Sequence, residues 1–176
     1  MLMRRGYTLV EVLVVVTILG IAGAIVVPSI GSTNVLRIQS AVRTIVADIT
    51  YAQTDALAYQ ERRALVFDDD TNAYSLVEVV NGVIDVENNT MFDPQRPGGR
   101  YRVDMNLPLF GDTRLANVDF DGTSTLIFDA IGGPVAGPSS DTPSAGGSID
   151  LIGTDSAFRI SVEPFTGRVQ VARLPE

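Results

Sequence analysis

The chain has 176 residues, 45% of them hydrophobic, and a formal net charge of −8 from 21 acids and 13 bases. That length holds one ordinary domain and an appendage. Cysteine and histidine are both absent, which excludes a disulfide framework, a thiolate nucleophile, the commonest zinc sites and every Ser–His or Cys–His catalytic pair.

Only carboxylates, Ser, Thr, Tyr and Arg remain for chemistry, so the chain is read as not an enzyme and no cofactor is expected. All 13 bases are arginine, and two of them, Arg4 and Arg5, precede an apolar run. The rest of the chain therefore carries −10. So acidic a body argues against a general nucleic-acid binder, whose affinity rests on neutralising phosphates.

The first element is that apolar run, "YTLVEVLVVVTILGIAGAIVVPSI", from Tyr7 to Ile30. It is long enough to cross a bilayer, which takes roughly 20 residues. Arginines stand before it and the next base is Arg37. The positive-inside rule then predicts a cytoplasmic amino terminus and an extracytoplasmic body. A secretory signal peptide cut after "AGA" at 22–24, a fragmentary twin-arginine signal and a plain anchor are the other readings. None accounts for Glu11, an acid inside the run. A carboxylate at a membrane helix centre costs roughly 2.5–3.5 kcal/mol. Cleavage after Gly6 would supply an offset: Tyr7 would carry a positive amine, four residues from Glu11 and on the same helix face. At about 4 Å and an effective dielectric near 20, that pair is worth on the order of 4 kcal/mol before desolvation. Glu11 would then register one subunit's amine against its neighbour.

"RRGYTLVEVLVVVTILGIAGAIVVPSI" resembles the class III signal of type IV pilins and type II secretion pseudopilins. The resemblance rests on Gly6, Tyr7, Glu11 and Pro28, with Tyr7 where phenylalanine is more usual. It implies cleavage between Gly6 and Tyr7 by a prepilin peptidase, methylation of the Tyr7 amine, and assembly through Glu11 and the helix. Pro28 is either a kink used in assembly or the end of the span. Gly20 and Ala24 form a small-xxx-small pair suited to close helix packing.

A helical pattern continues beyond the run. Ile38, Val42, Ile45, Ile49, Ala52, Ala56 and Tyr59 recur in steps of four and three, one apolar stripe. Arg37, Arg43, Asp48 and Asp55 are placed mostly off it. A helix from Tyr7 to about Glu61 would be roughly 80 Å long. The period then changes to that of strands. "DDDTN" at 68–72 and Asn81-Gly82 predict hairpin turns. Residues 93–100 read as a loop, Asp121-Gly122 as a turn, Leu126–Phe128 as a strand, and 131–147 as a mobile connection. "AFRISVEPFTGRVQVARL" predicts a closing hairpin around Thr166-Gly167. The aspartates at 68–70, and Asp119 with Asp121, are read as solvated turns, with no metal expected.

The body also resembles the GspH/FimT-type minor pseudopilins and minor pilins, through "DITYAQTDALAYQERRALVFD", "IFDAIGGP" and "ISVEPFTGRVQV". The fold expected is α+β: a long amino-terminal helix, its first half transmembrane, packed on an antiparallel β-sheet head. The expected divisions are a leader at 1–6, a membrane and filament-core helix at 7–30, its amphipathic continuation at 31–61 and a periplasmic head at 62–176. The function implied is a structural subunit of a type II secretion pseudopilus, anchored in the bacterial inner membrane. Its expected partners are the prepilin peptidase, other pseudopilins and secreted protein cargo. The alternative is a minor type IV pilin for DNA uptake or adhesion. Arg168 and Arg173, joined in space by Arg62, Arg63 and Arg159, are the candidate nucleic-acid contacts.

Overall fold

The computed structural model describes residues 7–26 and 31–175. Two helices come first, α1 (Leu9–Val26) and α2 (Gly31–Tyr59). The expected continuous helix is therefore seen as two stretches, with 27–30, Pro28 among them, outside the described residues. The chain divides into two compact units, Met1–Thr33 and Asn34–Glu176.

In the second unit α2 buries one stripe. Ile38, Ala41, Val42, Ile45, Ile49, Ala52 and Ala56 are all 8% exposed or less. Tyr59, expected on this stripe, is 69% exposed. The helix ends there: Gln60 turns left-handed at φ 55°, and the Arg63 guanidinium lies 5.9 Å from the Tyr59 ring centroid. A larger correction concerns Asp48 and Asp55, placed off the stripe by sequence yet buried at 6% and 9% exposure. They lie one heptad apart on its flank, and each accepts hydrogen bonds from the head: Asp48 from Tyr74 and Tyr101, Asp55 from Arg63.

Ten strands follow: β1 (Arg63–Asp68), β2 (Ala73–Val80), β3 (Val83–Ile84), β4 (Arg102–Asp104), β5 (Arg114–Phe120), β6 (Thr125–Phe128), β7 (Pro134–Val135), β8 (Gly147–Ile152), β9 (Ala157–Val162) and β10 (Val169–Leu174). They form two antiparallel sheets. One runs β3-β2-β1-β6-β7, with β4 also on β2; the other runs β10-β9-β8-β5. The hairpin turns fall where the sequence placed them. Asp68 accepts the main-chain N–H of Thr71 between β1 and β2, and Asn81 and Gly82, both at positive φ, close β2 onto β3. Asp121 and Gly122, again both at positive φ, link the two sheets through the β5–β6 turn.

Period-two burial aims one face of each sheet at the helix. Leu65, Phe67, Tyr74, Leu76 and Phe128 from the first sheet and Leu115, Phe120, Ile149, Leu151 and Ile160 from the second join the α2 stripe in a single core. The other face of the first sheet has a smaller core of Ala64, Ile127 and Val135. That second core revises the reading of 131–147 as a mobile connection. Val135 is buried, Ala136 N–H donates to Thr142, and Ser144 N–H donates to Pro134.

Candidate functional site

The site singled out by sequence is the start of α1. Gly6 lies outside the described residues; Tyr7 and Glu11 lie within them and line one concave strip with Val12, Val15 and Val16, so they share a face. The helix is nucleated by Thr8, whose hydroxyl accepts the Glu11 main-chain N–H at 3.2 Å. Thr8-Leu9-Val10-Glu11 thus has the T-x-x-E spacing of a capping box. Sequence reasoning missed this role, although the spacing is legible in "TLVE". An acid in the first turn also suits the helix dipole, worth typically about 0.3–1 kcal/mol. That is smaller than the roughly 2.5–3.5 kcal/mol cost of a carboxylate at membrane depth. Capping alone does not account for Glu11.

Among the described side chains, the remainder of α1 has no polar face. Leu9, Val10, Leu13, Val16, Ile18, Leu19 and Ile21 are each at least 59% exposed. Thr17 returns its hydroxyl proton to the Leu13 carbonyl at 2.8 Å, so its one polar group is satisfied within the helix. Among the described residues no helix is long and apolar enough to cross a membrane. The run that the sequence counts to Ile30 includes 27–30, outside them.

The head is fastened to α2 by polar clasps. Asp48 accepts hydrogen bonds from the hydroxyls of Tyr74, at 2.5 Å, and Tyr101, at 2.9 Å, with Arg96 at 3.7 Å. Burial pushes the Asp48 carboxyl above its ordinary range, against the pull of the two tyrosine hydrogen bonds and Arg96. The Tyr101 hydroxyl is pushed up to about 12, by burial first and by the Asp48 charge second. Asp55 accepts from Arg63 Nε at 2.5 Å. Gln53 donates to the carbonyls of Gly132 and Thr166, at 2.7 and 2.9 Å, holding two turns against the helix.

Three of the arginines proposed for nucleic acid have carboxylate partners. Arg62 is paired with Asp141, Arg63 is buried against Asp55, and Arg159 bonds Asp150 through two nitrogens. Arg168 lies in the last turn and Arg173 near the end of β10. The acidic turns bond to their own backbone: Asp68 to Thr71, Asp119 to Gly122 and Asp121 to Ala145. Among the described residues no group of acids stands placed to hold a metal ion.

The chain combines an apolar helix, with one acid in its first turn, and an α+β head of two antiparallel sheets packed on a second helix. Residues 1–27 match the prokaryotic N-terminal methylation motif. The fold is similar to that of the minor pseudopilin EpsH from the type 2 secretion system of Vibrio cholerae. One structure of EpsH has a TM-score of 0.51 at 11% identity, covering 80% of this chain and 99% of that one. A second has 0.52 at 10%, covering 80% and 96%. The type IV minor pilin FimU of Pseudomonas aeruginosa scores 0.48 at 18% identity, covering 77% and 87%. No curated protein sequence matches the chain. The chain thus carries a prokaryotic N-terminal methylation motif at its amino end and, behind it, an α+β fold similar to that of EpsH.

Proposed function

We propose that the chain is a structural minor pseudopilin, cut between Gly6 and Tyr7 by a prepilin peptidase and methylated on the Tyr7 amine. The mature subunit sits in the bacterial inner membrane, amino terminus cytoplasmic and head periplasmic. It assembles through α1 and Glu11 into a type II secretion pseudopilus, where the head meets its neighbours and cargo. The observation that carries this reading is α1: apolar on every described face, with a single acid five residues into the mature chain, inside the methylation motif. Such a helix is stable only where lipid or other helices cover it. The similarity to EpsH supports the pseudopilus over other machines.

The divisions follow from this: leader 1–6, membrane and filament-core helix 7–30, stalk 31–61 and head 62–176. The alternative, a minor type IV pilin in DNA uptake, draws less support, because Arg62, Arg63 and Arg159 already have carboxylate partners.

The deciding experiment is the mass of the amino-terminal peptide from the native membrane. A chain that starts at Tyr7 and is heavier by one methyl group is the expected result, and replacing Gly6 by a bulky residue should leave the leader attached. A chain that starts at Ile25 would mean an ordinary signal peptide and would end the pseudopilin reading.

A further inference from the structure

We infer that β10 is a docking edge for an extended, acidic strand of a different polypeptide. The other sheet edges are each blunted. β3 and β7 have two residues, β7 with a proline, and β4 has three. β5 carries a bulge between Ala116 and Asp119, with Asn117 left-handed at φ 47°. β10 has six residues, Val169–Leu174, with neither proline nor bulge, and its middle four are exposed. Folded proteins shorten, bend or charge such edges because they template pairing with another chain. Among the described strands, β10 is the edge left unpaired without such a device.

The ladder fixes which groups it offers. Glu163 N–H donates to the Arg168 carbonyl, and the β9–β10 register keeps that pairing in phase. Hydrogen-bonded pairs alternate along an antiparallel ladder, so Gln170 and Ala172 turn their main-chain groups to β9. Val169 and Val171 turn theirs outward. The β8–β9 ladder agrees: Gly153 N–H donates to Ser156, and its phase leaves Ser161 and Arg159 of β9 for Gln170 and Ala172.

Side chains settle the chemistry of the occupant. Val171 lies opposite Ile160, on the core-facing side of the sheet. It lines an open groove of about 560 Å³ with Val42, Arg43, Val46 and Phe158. A strand added beside β10 lays alternate side chains over this groove. They must be apolar to meet Val46 and Val171, and one must be a carboxylate to meet Arg43. Arg43 is exposed and forms no ion pair among the described residues. A second copy does not satisfy this, because "VQVARL" of β10 carries no acid and the body is itself at −10. The inference does not depend on the pseudopilus reading.

The test uses the full chain in detergent micelles. The probe is a synthetic peptide alternating valine and threonine, with a glutamate in place of the middle valine. Hydrogen exchange should slow at Val169 and Val171 when it binds. Val171→Pro removes only an outward N–H, so it should leave the thermal melt in place and abolish binding. Arg43→Glu should weaken binding by about tenfold or more, and a lysine-bearing peptide should restore it. Binding that survives both substitutions, or no protection at saturating peptide, overturns the proposal. So does self-association through β10 in the absence of peptide.

Discussion

The two helices differ in who covers their apolar surface. Along α2, Ile38, Ile45 and Ile49 are 0–1% exposed, while along α1, Leu13, Ile18 and Leu19 are 59–65% exposed. The α2 stripe is answered by residues of this same chain, from both sheets. The described side chains of α1 are mostly exposed. Burial at about 25 cal/mol per Å² therefore stabilises the head through α2. That asymmetry separates a helix whose apolar stripe is covered within the head from one whose described apolar side chains are exposed.

The largest expected effect comes from breaking a clasp of α2. Asp55→Ala leaves the Arg63 guanidinium, with its side chain 4% exposed, without its closest carboxylate. Losing one partner of a buried pair costs about 3–5 kcal/mol, and denaturant titration of the full chain in detergent should read a loss of that size. Next is a direct test of the asymmetry. Ile49→Ala opens the core and should cost about 2–5 kcal/mol, while Val15→Ala should leave the head's unfolding midpoint unchanged. Equal effects would collapse the distinction between the two helices.

Much of this was legible in the sequence, and what was not has a common cause. The α2 stripe and the turns at 68–72, Asn81-Gly82, Asp121-Gly122 and Thr166-Gly167 are local patterns, fixed by neighbours in sequence. Asp48 and Asp55 were misplaced because periodicity sends a charge to solvent by default. Their partners come from elsewhere: Tyr74 is 26 residues from Asp48, and Tyr101 is 53. The order of 131–147 was hidden for the same reason, since a Gly/Pro/Ser-rich stretch looks mobile until Val135 finds Ala64 and Ile127. The first turn of α1 is legible too, in the T-x-x-E spacing of Thr8 and Glu11, whose hydrogen bond is local.

Two buried aspartates give smaller effects of opposite sign. The Asp48 carboxyl is raised above its ordinary 3.8, mainly by burial, so its folded state holds the proton more firmly. Its contribution to stability is full below pH 3.8 and is lost as pH rises through the folded value. The Asp150 carboxyl is held below 3.8, first by Arg159 and then by Asn117. Its contribution is present above 3.8 and is lost as pH falls through the folded value. Melting temperature against pH should therefore lose part of its acid-side fall in Asp150→Asn. In Asp48→Asn it should lose part of its decline above pH 3.8.

The smallest effect on folding is expected at Glu11, and it carries the most information about α1. A glutamine at the third helical position completes a capping box as well as glutamate does, so Glu11→Gln keeps the local role and removes only the charge. If Glu11 served the helix end alone, Glu11→Gln would assemble normally and Thr8→Ala, which removes the cap at a cost of about 1 kcal/mol, would be the more harmful change. If the carboxylate registers the Tyr7 amine of a neighbouring subunit, the order reverses. Glu11→Gln should then be cleaved and retained in the membrane but absent from filaments, while Thr8→Ala assembles. Cross-linking of membrane-extracted subunits through cysteines placed along α1 reads the two variants side by side. The expected result is loss of cross-links for Glu11→Gln alone, because an ion pair at about 4 Å outweighs a helix cap by roughly fourfold before desolvation.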